Sequence, residues 1–436
     1  MHENSRYVKL AWIGLVSALA LPAPARAEIV SHTTGPGLLA VAGDGSPRVA
    51  FLSNRDVVVA RRTAAGWTVA RAGRATSRNP VLSGLVVDRA GRSSTLVEAE
   101  NGSWLALAGR GGKLRVVSRP SRGTSLGPAG LALDAAGRPA FAYALRQRSG
   151  KTYLRLVTTD AHGRLHTHGI TKGGFPSSAI VPGAAPVLVR RQLHVVETYT
   201  NAAIDWGPKA GGGWEGQFLF ASISGSPAGR VGAAASGPSL WSAWSELTSE
   251  TISVLLTLSA ETQDTTTVVD HGIFVSLFLD AGQPELGAYD WVELDNAFVY
   301  AGLLADARGP FAELDGRLEG YAPAPGGKRQ LLLSTGSGLE WFEAPARPST
   351  RVSLGVDTTG RITGSVDGAT TGTVQVYREL GNTQRELVAS TELGADGSFS
   401  AQDSAPTSPT LYRAVYVDPV SGIPYASLLR TPVGPG

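Results

Sequence analysis

The sequence predicts an all-β protein in two parts. The first is a seven-bladed β-propeller, with six blades as the alternative count, and the second is a small Ig-like β-sandwich. Three observations predict it. The chain carries 54 glycines and 26 prolines in 436 residues, the supply of turns that many short strands require. A hairpin motif recurs with a period of about 45 residues, and such periods point to propellers. Beyond residue 350, seven short alternating strands follow one another at the spacing of a sandwich.

The N-terminus reads as a targeting segment. Arg6 and Lys9 precede an apolar run from Leu10 to Leu21, Pro22 breaks it, and Ala25-Arg26-Ala27 fits a small-residue cleavage site. That run is too short to span a bilayer. The expectation is a signal peptide over 1–27, a secreted mature chain from Glu28, and no membrane insertion. Cysteine is absent, which excludes disulfides, thiol catalysis and Cys-ligated metals.

The repeat is read from its first hairpin, an apolar strand, a tight turn of the form Asp-x-x-Gly, and a second strand rich in aromatics. LLAVAGDGSPRVAFLS, LVVDRAGRSSTLVEA and LALDAAGRPAFAYAL show it best. The turns fall near Asp44, Asp88, Asp134, Arg190, Gly237, Ala281 and Gly326, with spacings of 44, 46, 56, 47, 44 and 45 residues. Each unit holds four strands; in the third they are PAGLALDA, RPAFAYAL, TYLRLVTT and GRLHTHGI. The last unit is one strand short, and the segment from Glu28 to Thr34 is expected to complete it and close the ring. Glu246 to Leu256 has some helical character, but its Thr, Ile and Val favour strand. The expected boundaries are a propeller over 28–343, a linker over 344–350 and the sandwich over 351–436. In the sandwich, Tyr412 opens the penultimate strand, where such domains place a tyrosine that bonds back to the backbone.

The units, with Asp-x-x-Gly-Arg-Pro ahead of an aromatic strand, resemble those of sialidase-type propellers with BNR or Asp-box repeats. The resemblance is clearest over residues 80–170. The intact box Ser-x-Asp-x-Gly-x-x-Trp is absent, and Ala64-Ala65-Gly66-Trp67 keeps only its glycine and tryptophan. The resemblance implies the fold and transfers no catalytic residue. The C-terminal part resembles the Ig-like or fibronectin-like modules of secreted bacterial proteins, which implies adhesion or spacing.

Several constellations invite chemistry. Asp88, Asp134, Asp160, Asp306 and Asp357 each begin an Asp-x-x-Gly turn, but each offers one carboxylate where calcium needs several converging oxygens, so they read as type I turns. His166 and His168 would share one strand face without a third ligand, and no metal or other cofactor is expected. Glu98, Glu100 and Glu197 lie in second strands and could approach the ring centre as the paired acids of a glycosidase. Tryptophans such as Trp241 and Trp244 read as packing between blades before sugar stacking.

Charge carries the strongest signal. Residues 28–230 hold 25 Lys and Arg against 11 Asp and Glu, whereas 231–345 hold 4 against 16, a segregation that the overall charge of +3 hides. In a propeller the links between blades and those from second to third strands share one rim. That rim would gather Arg78, Arg119, Arg122, Arg146, Arg148, Lys151 and Lys172 into a basic sector. Glu246, Glu250, Glu293 and Asp295 would mark an acidic sector opposite. The expected function is a secreted, non-enzymatic binding or structural protein whose basic rim holds an anionic glycan, cell-wall polymer or partner protein. Self-association through the opposed sectors is a variant. Nucleic acid is not expected, because no recognition module is visible. The alternative is a carbohydrate-active enzyme, a glycosidase or lyase with acids in the central pocket.

Overall fold

The computed structural model describes residues 27–427 except for 34, 76–78, 100–104, 109–113, 119–123, 172–174, 177–182, 199–202, 221–225, 238, 248–251, 260–264, 270–271, 281–282, 291–299, 305–310, 315–316, 345–349, 380–384, 405, 407–410 and 420–423. Strand β1 (Glu28–Ser31) comes first. The first sheet is β2 (Gly37–Val41), β3 (Pro47–Ser53), β4 (Asp56–Thr63) and β5 (Gly66–Arg74). The second is β6 (Pro80–Val87), β7 (Ser93–Ala99), β8 (Leu105–Ala108) and β9 (Leu114–Ser118). The third holds β10 (Ser125–Leu126), β11 (Gly130–Leu133), β12 (Pro139–Arg146), β13 (Lys151–Thr159), β14 (Leu165–Gly169) and β15 (Phe175–Pro176). The fourth is β16 (Gly183–Val189), β17 (Gln192–Thr198), β18 (Ala203–Pro208) and β19 (Trp214–Phe220). The fifth is β20 (Ser226–Ser236), β21 (Ser239–Leu247), β22 (Ile252–Ser259) and β23 (Thr265–Val269). The sixth contains β24 (Gly272–Asp280), β25 (Gln283–Asp290), β26 (Tyr300–Leu304) and β27 (Phe311–Leu314). The seventh is β28 (Arg317–Pro323), β29 (Arg329–Thr335) and β30 (Gly338–Ala344), with β1 added beside β30. All seven hairpin turns read from the repeat fall in the sequence between first and second strands, and of the ambiguous stretch residues 246–247 belong to β21 and 252–256 to β22, while 248–251 lie outside the described residues.

The pattern of burial explains why these segments stack. Residues 141–144 of β12 are all buried, because a middle strand is covered on both faces by neighbouring sheets. Outer strands such as β5 are largely exposed.

The first strands of the seven sheets contact one another in succession, and β28 returns to β2. Glycine makes that approach possible. A Cβ on Gly84 would meet Leu131, one on Gly130 would meet Ala185, and one on Gly183 would meet Val231. Gly232 lies in the same way against Phe274, and Gly320 against Leu39. Each of these glycines sits on one inner strand and faces the next, so the sheets converge where a ring must narrow.

The seam closes as the sequence predicts. Glu28 pairs with Trp341 and Ile29 with Glu340, so β1 supplies the strand that the seventh sheet lacks. Val30, Leu339 and Trp341 pack there against Val49, Phe51 and Val58 of the first sheet. Trp67 meets Trp341 edge-on at 5.8 Å, and the Arg62 guanidinium donates to both oxygens of Glu28 at 2.9 and 2.7 Å.

The remaining strands are β31 (Val352–Val356), β32 (Arg361–Val366), β33 (Thr373–Glu379), β34 (Arg385–Glu392), β35 (Ser398–Gln402), β36 (Leu411–Val417) and β37 (Pro424–Ala426). They form a sheet β31-β32-β35 and a second ordered β34-β33-β36-β37, with Leu354, Ile362, Val376, Phe399 and Tyr416 in one core. Strict alternation of burial in β31 marks a sheet with one face in water. Strand β37 also pairs with β27, Phe311 opposite Ala426, so this sheet continues the sixth one. Tyr412 differs from expectation. Its hydroxyl donates to the Asp403 side chain at 2.6 Å, where Arg378 also binds, because a buried carboxylate needs every donor that reaches it.

Candidate functional site

Two regions gather chemistry, one on the rim and one at the centre. On the rim, β12 and β13 join through a tight turn in which Gln147 N–H donates to Lys151 O at 2.8 Å and Gly150 N–H to Gln147 O at 2.9 Å. Arg148 and Lys151 are exposed and Arg146 is half-buried. The third sheet gains two short strands because chain from both neighbouring links joins it. Ser125 of β10 pairs with Arg146 on one side, and Pro176 of β15 pairs with Lys151 on the other. These two strands lie three residues beyond Arg122 and Lys172 in the sequence. Arg78, Arg119, Arg122 and Lys172 themselves lie outside the described residues, as do Glu250, Glu293 and Asp295 and the side chain of Glu246.

At the centre, the seven inner strands enclose a cavity of about 240 Å³. Its walls are mostly apolar or backbone, and its charged side chains are Arg230 and Glu319. Both sit at register shifts, between Ala228 and Val231 in β20 and between Leu318 and Gly320 in β28. Ser83 and Val275 occupy similar shifts in β6 and β24 and also line the cavity. An extra residue in one strand re-aims its side chain, which is how polar groups enter an otherwise apolar ring. Arg317 Nε donates to Glu319 Oε1 at 2.6 Å, and Gly37 N–H donates to Oε2 at 3.2 Å. Burial nevertheless holds the Glu319 carboxyl above the usual range. Ser83 Oγ is buried and has no hydrogen-bond partner among the described residues.

Of the acids singled out from sequence, Glu98 is tied to the cavity through its interaction with Arg230. Burial pushes its carboxyl up to about 8, against the pull of Arg230 and of Ala129 N–H. Glu197 is sealed in the fourth sheet, where Trp206 Nε1 donates to it at 2.9 Å. Glu100 lies outside the described residues.

The turn aspartates are occupied by their own turns. Asp88 Oδ1 accepts from Ala90 and Arg92 N–H at 2.9 Å each, and Oδ2 accepts from Arg92 Nε at 2.6 Å. Asp134 repeats the pattern with Ala136 and Arg138. Asp160 and Asp357 hold similar turns, and Asp306 lies outside the described residues. His166 bonds Asp160 and His168 bonds Thr158, both at 3.0 Å on the exposed β14, and no cluster of three metal-ligating side chains occurs among the described residues. Trp244 and Trp341 are buried in the sheets. Sequence reasoning missed Arg230, Glu319 and Ser83. Their signal is a polar residue next to glycine in an apolar first strand, as in Ser83-Gly84 and Glu319-Gly320.

No protein-family model and no curated protein matches the chain. Among solved structures the chain is similar to the Hadza microbial sialidase Hz136, at 14% identity over 69% of this chain and 73% of that one, with a TM-score of 0.43. It is also similar to AofleA from Arthrobotrys oligospora, at 11% identity over 65% and 87% of the two chains, TM-score 0.40. The Aleuria aurantia lectin gives 13% identity over 72% and 97%, TM-score 0.37. No helix among the described residues is long and apolar enough to cross a membrane.

Proposed function

We propose that this chain is a secreted binding protein, a seven-bladed propeller over 28–343 with an Ig-like sandwich over 351–436, that holds an anionic polysaccharide on one basic rim. The observation that supports the reading is the pairing of both neighbouring links with the hairpin that carries Arg146, Arg148 and Lys151. Residues far apart in sequence thereby lead to one place, where exposed Arg and Lys attract anions and Arg can grip carboxylate or sulfate with two donors. A partner protein with an acidic surface would use the same chemistry. The non-enzymatic half of the reading draws on the acids. Glu319 is already engaged by Arg317 and Gly37, and Glu197 is closed off by Trp206, so neither faces a partner carboxylate as glycoside hydrolysis requires.

The test is retention on heparin resin at low salt. The mature protein is expected to bind and to elute with added salt, since screening weakens exposed charge. The triple variant Arg146→Ser, Arg148→Ser, Lys151→Ser should elute well earlier. Equal retention of the two would remove the rim assignment.

A further inference from the structure

The sheets have a second charged end. In each antiparallel sheet the first-to-second and third-to-fourth turns lie opposite the second-to-third turn, which in the third sheet carries Arg148. On sheets two to four that end presents Arg89, Arg164, Arg190 and Arg191, all exposed. None of their guanidinium groups makes a hydrogen bond or ion pair among the described residues. The acids beside them are engaged. Asp88 is held by Arg92 and Asp134 by Arg138, while Asp160 accepts from His162 and Arg164 N–H and bonds His166. Glu215 stands 3.8 Å from Lys209.

Backbone conformation points the same way. Arg190 and Arg191 form the two-residue turn between Val189 and Gln192, with φ of 45° and 69°. In other first hairpins the positive φ falls to glycine, at Gly45, Gly91, Gly137, Gly237 and Gly326. A turn of this kind favours Asn-Gly, and two arginines strain it. What the strained turn presents is a pair of adjacent, exposed guanidinium groups at a hairpin tip. The first sheet extends the positive potential. Arg48 there is 2% exposed and makes no ion pair among the described residues. Its Nη1 donates to Ser46 Oγ at 2.8 Å, and its buried Nη2 has no partner among those residues. Arg61 lies directly opposite it, and Asp44 is reached only through the Ser46 hydroxyl.

We propose that the turn end of sheets two to four is a second surface for an anionic polysaccharide, with Arg89, Arg164, Arg190 and Arg191 as its contacts. A guanidinium grips carboxylate or sulfate with two donors, and these four have no competing acid of their own. They come from three successive sheets, so they suit an extended chain with charges along its length better than one small ion. This surface stands whether or not the opposite rim binds. Where both bind, one protein joins two polysaccharide chains, and that bridging role rests on the rim reading.

Heparin is the probe, and salt elution and melting temperature are read on the mature protein. The variant Arg190→Asn, Arg191→Gly gives the turn its favoured residues and removes two charges. It is expected to elute at lower salt than the unmodified protein while melting a few degrees higher. Adding Arg89→Ser and Arg164→Ser should lower the eluting salt further. The variant Arg351→Ser, Arg361→Ser removes two exposed arginines from the sandwich and serves as the charge-matched control; it should elute near the unmodified protein. A turn variant that elutes no earlier than this control would overturn the proposal. So would a turn variant that melts lower, because the two arginines would then be supporting the fold. Turn and rim substitutions lie at opposite ends and share no partner, so their effects should add. Early elution of the turn variant beside an unchanged rim variant would remove the rim reading and leave this one. The reverse result would remove this one alone.

Discussion

Replacing Arg329 with methionine is expected to cost about 3–5 kcal/mol of folding stability, a large share of the total margin of a typical domain. Arg329 opens β29 with its side chain 2% exposed and is satisfied at every side-chain nitrogen. Nε donates to Glu285 Oε2 at 2.7 Å, Nη2 to Glu285 Oε1 at 2.5 Å and to Asp280 at 2.6 Å, and Nη1 to the carbonyls of Gly327 and Lys328. Tyr321 adds its hydroxyl to Glu285 at 2.9 Å. The group thus ties the sixth sheet to the seventh. Without the guanidinium, Glu285 stays fully buried and loses its counter-charge, which is the costly half of a broken pair. The double variant Arg329→Met, Glu285→Leu removes both charges and should recover most of the loss. Urea unfolding of the two variants checks this. Equal midpoints for the single variant and the unmodified protein would show that Arg329 does not hold these sheets together.

Gly338→Ala is expected to open the seam. Gly338 starts β30 at φ +130°, where a side chain adds about 1–3 kcal/mol of backbone strain. An added Cβ would also run into the Ser31 carbonyl oxygen and lie 2.8 Å from His32 Cα, backbone atoms at the end of β1 that cannot turn aside. Strand β1 must then shift or leave, exposing the edge of β30 and the Val30–Trp341 core. The measurable result is a lower melting temperature together with faster proteolysis near residues 28–34. The Glu28–Arg62 pair, about one third exposed, offsets little of this. A variant that melts and resists protease like its parent would show that β1 is not held against β30.

The repeat was legible because its turns are spelled in local chemistry. Asp88-Arg89-Ala90-Gly91-Arg92 and its copies state where the chain must reverse, so hairpins and their spacing follow from the residues alone. The missing strand of the last unit was legible by the same arithmetic. What escaped was set by register. Arg230 and Glu319 reach the cavity only because β20 and β28 each carry extra residues relative to their partners, and such shifts leave no periodic trace. Arg329 escaped as well, since a basic residue ahead of an apolar strand looks solvated until its acid arrives from the neighbouring sheet. The proposed basic sector shows both limits. Hairpin and links were assigned to one rim from topology, whereas the strands β10 and β15 that draw the links to it are two residues long and carry no strand signal.

Rim and cavity both depend on the circle of sheets being joined at Glu28–Ser31. A cysteine pair across that joint tests it most directly, because the chain has no cysteine to compete. Ile29 and Glu340 are directly opposite in antiparallel strands, within reach of a disulfide. In Ile29→Cys, Glu340→Cys protein, mild oxidation of the native monomer is expected to form the intramolecular bond fully and to raise the melting temperature. Two thiols that stay free and reactive in the folded monomer would contradict a closed ring.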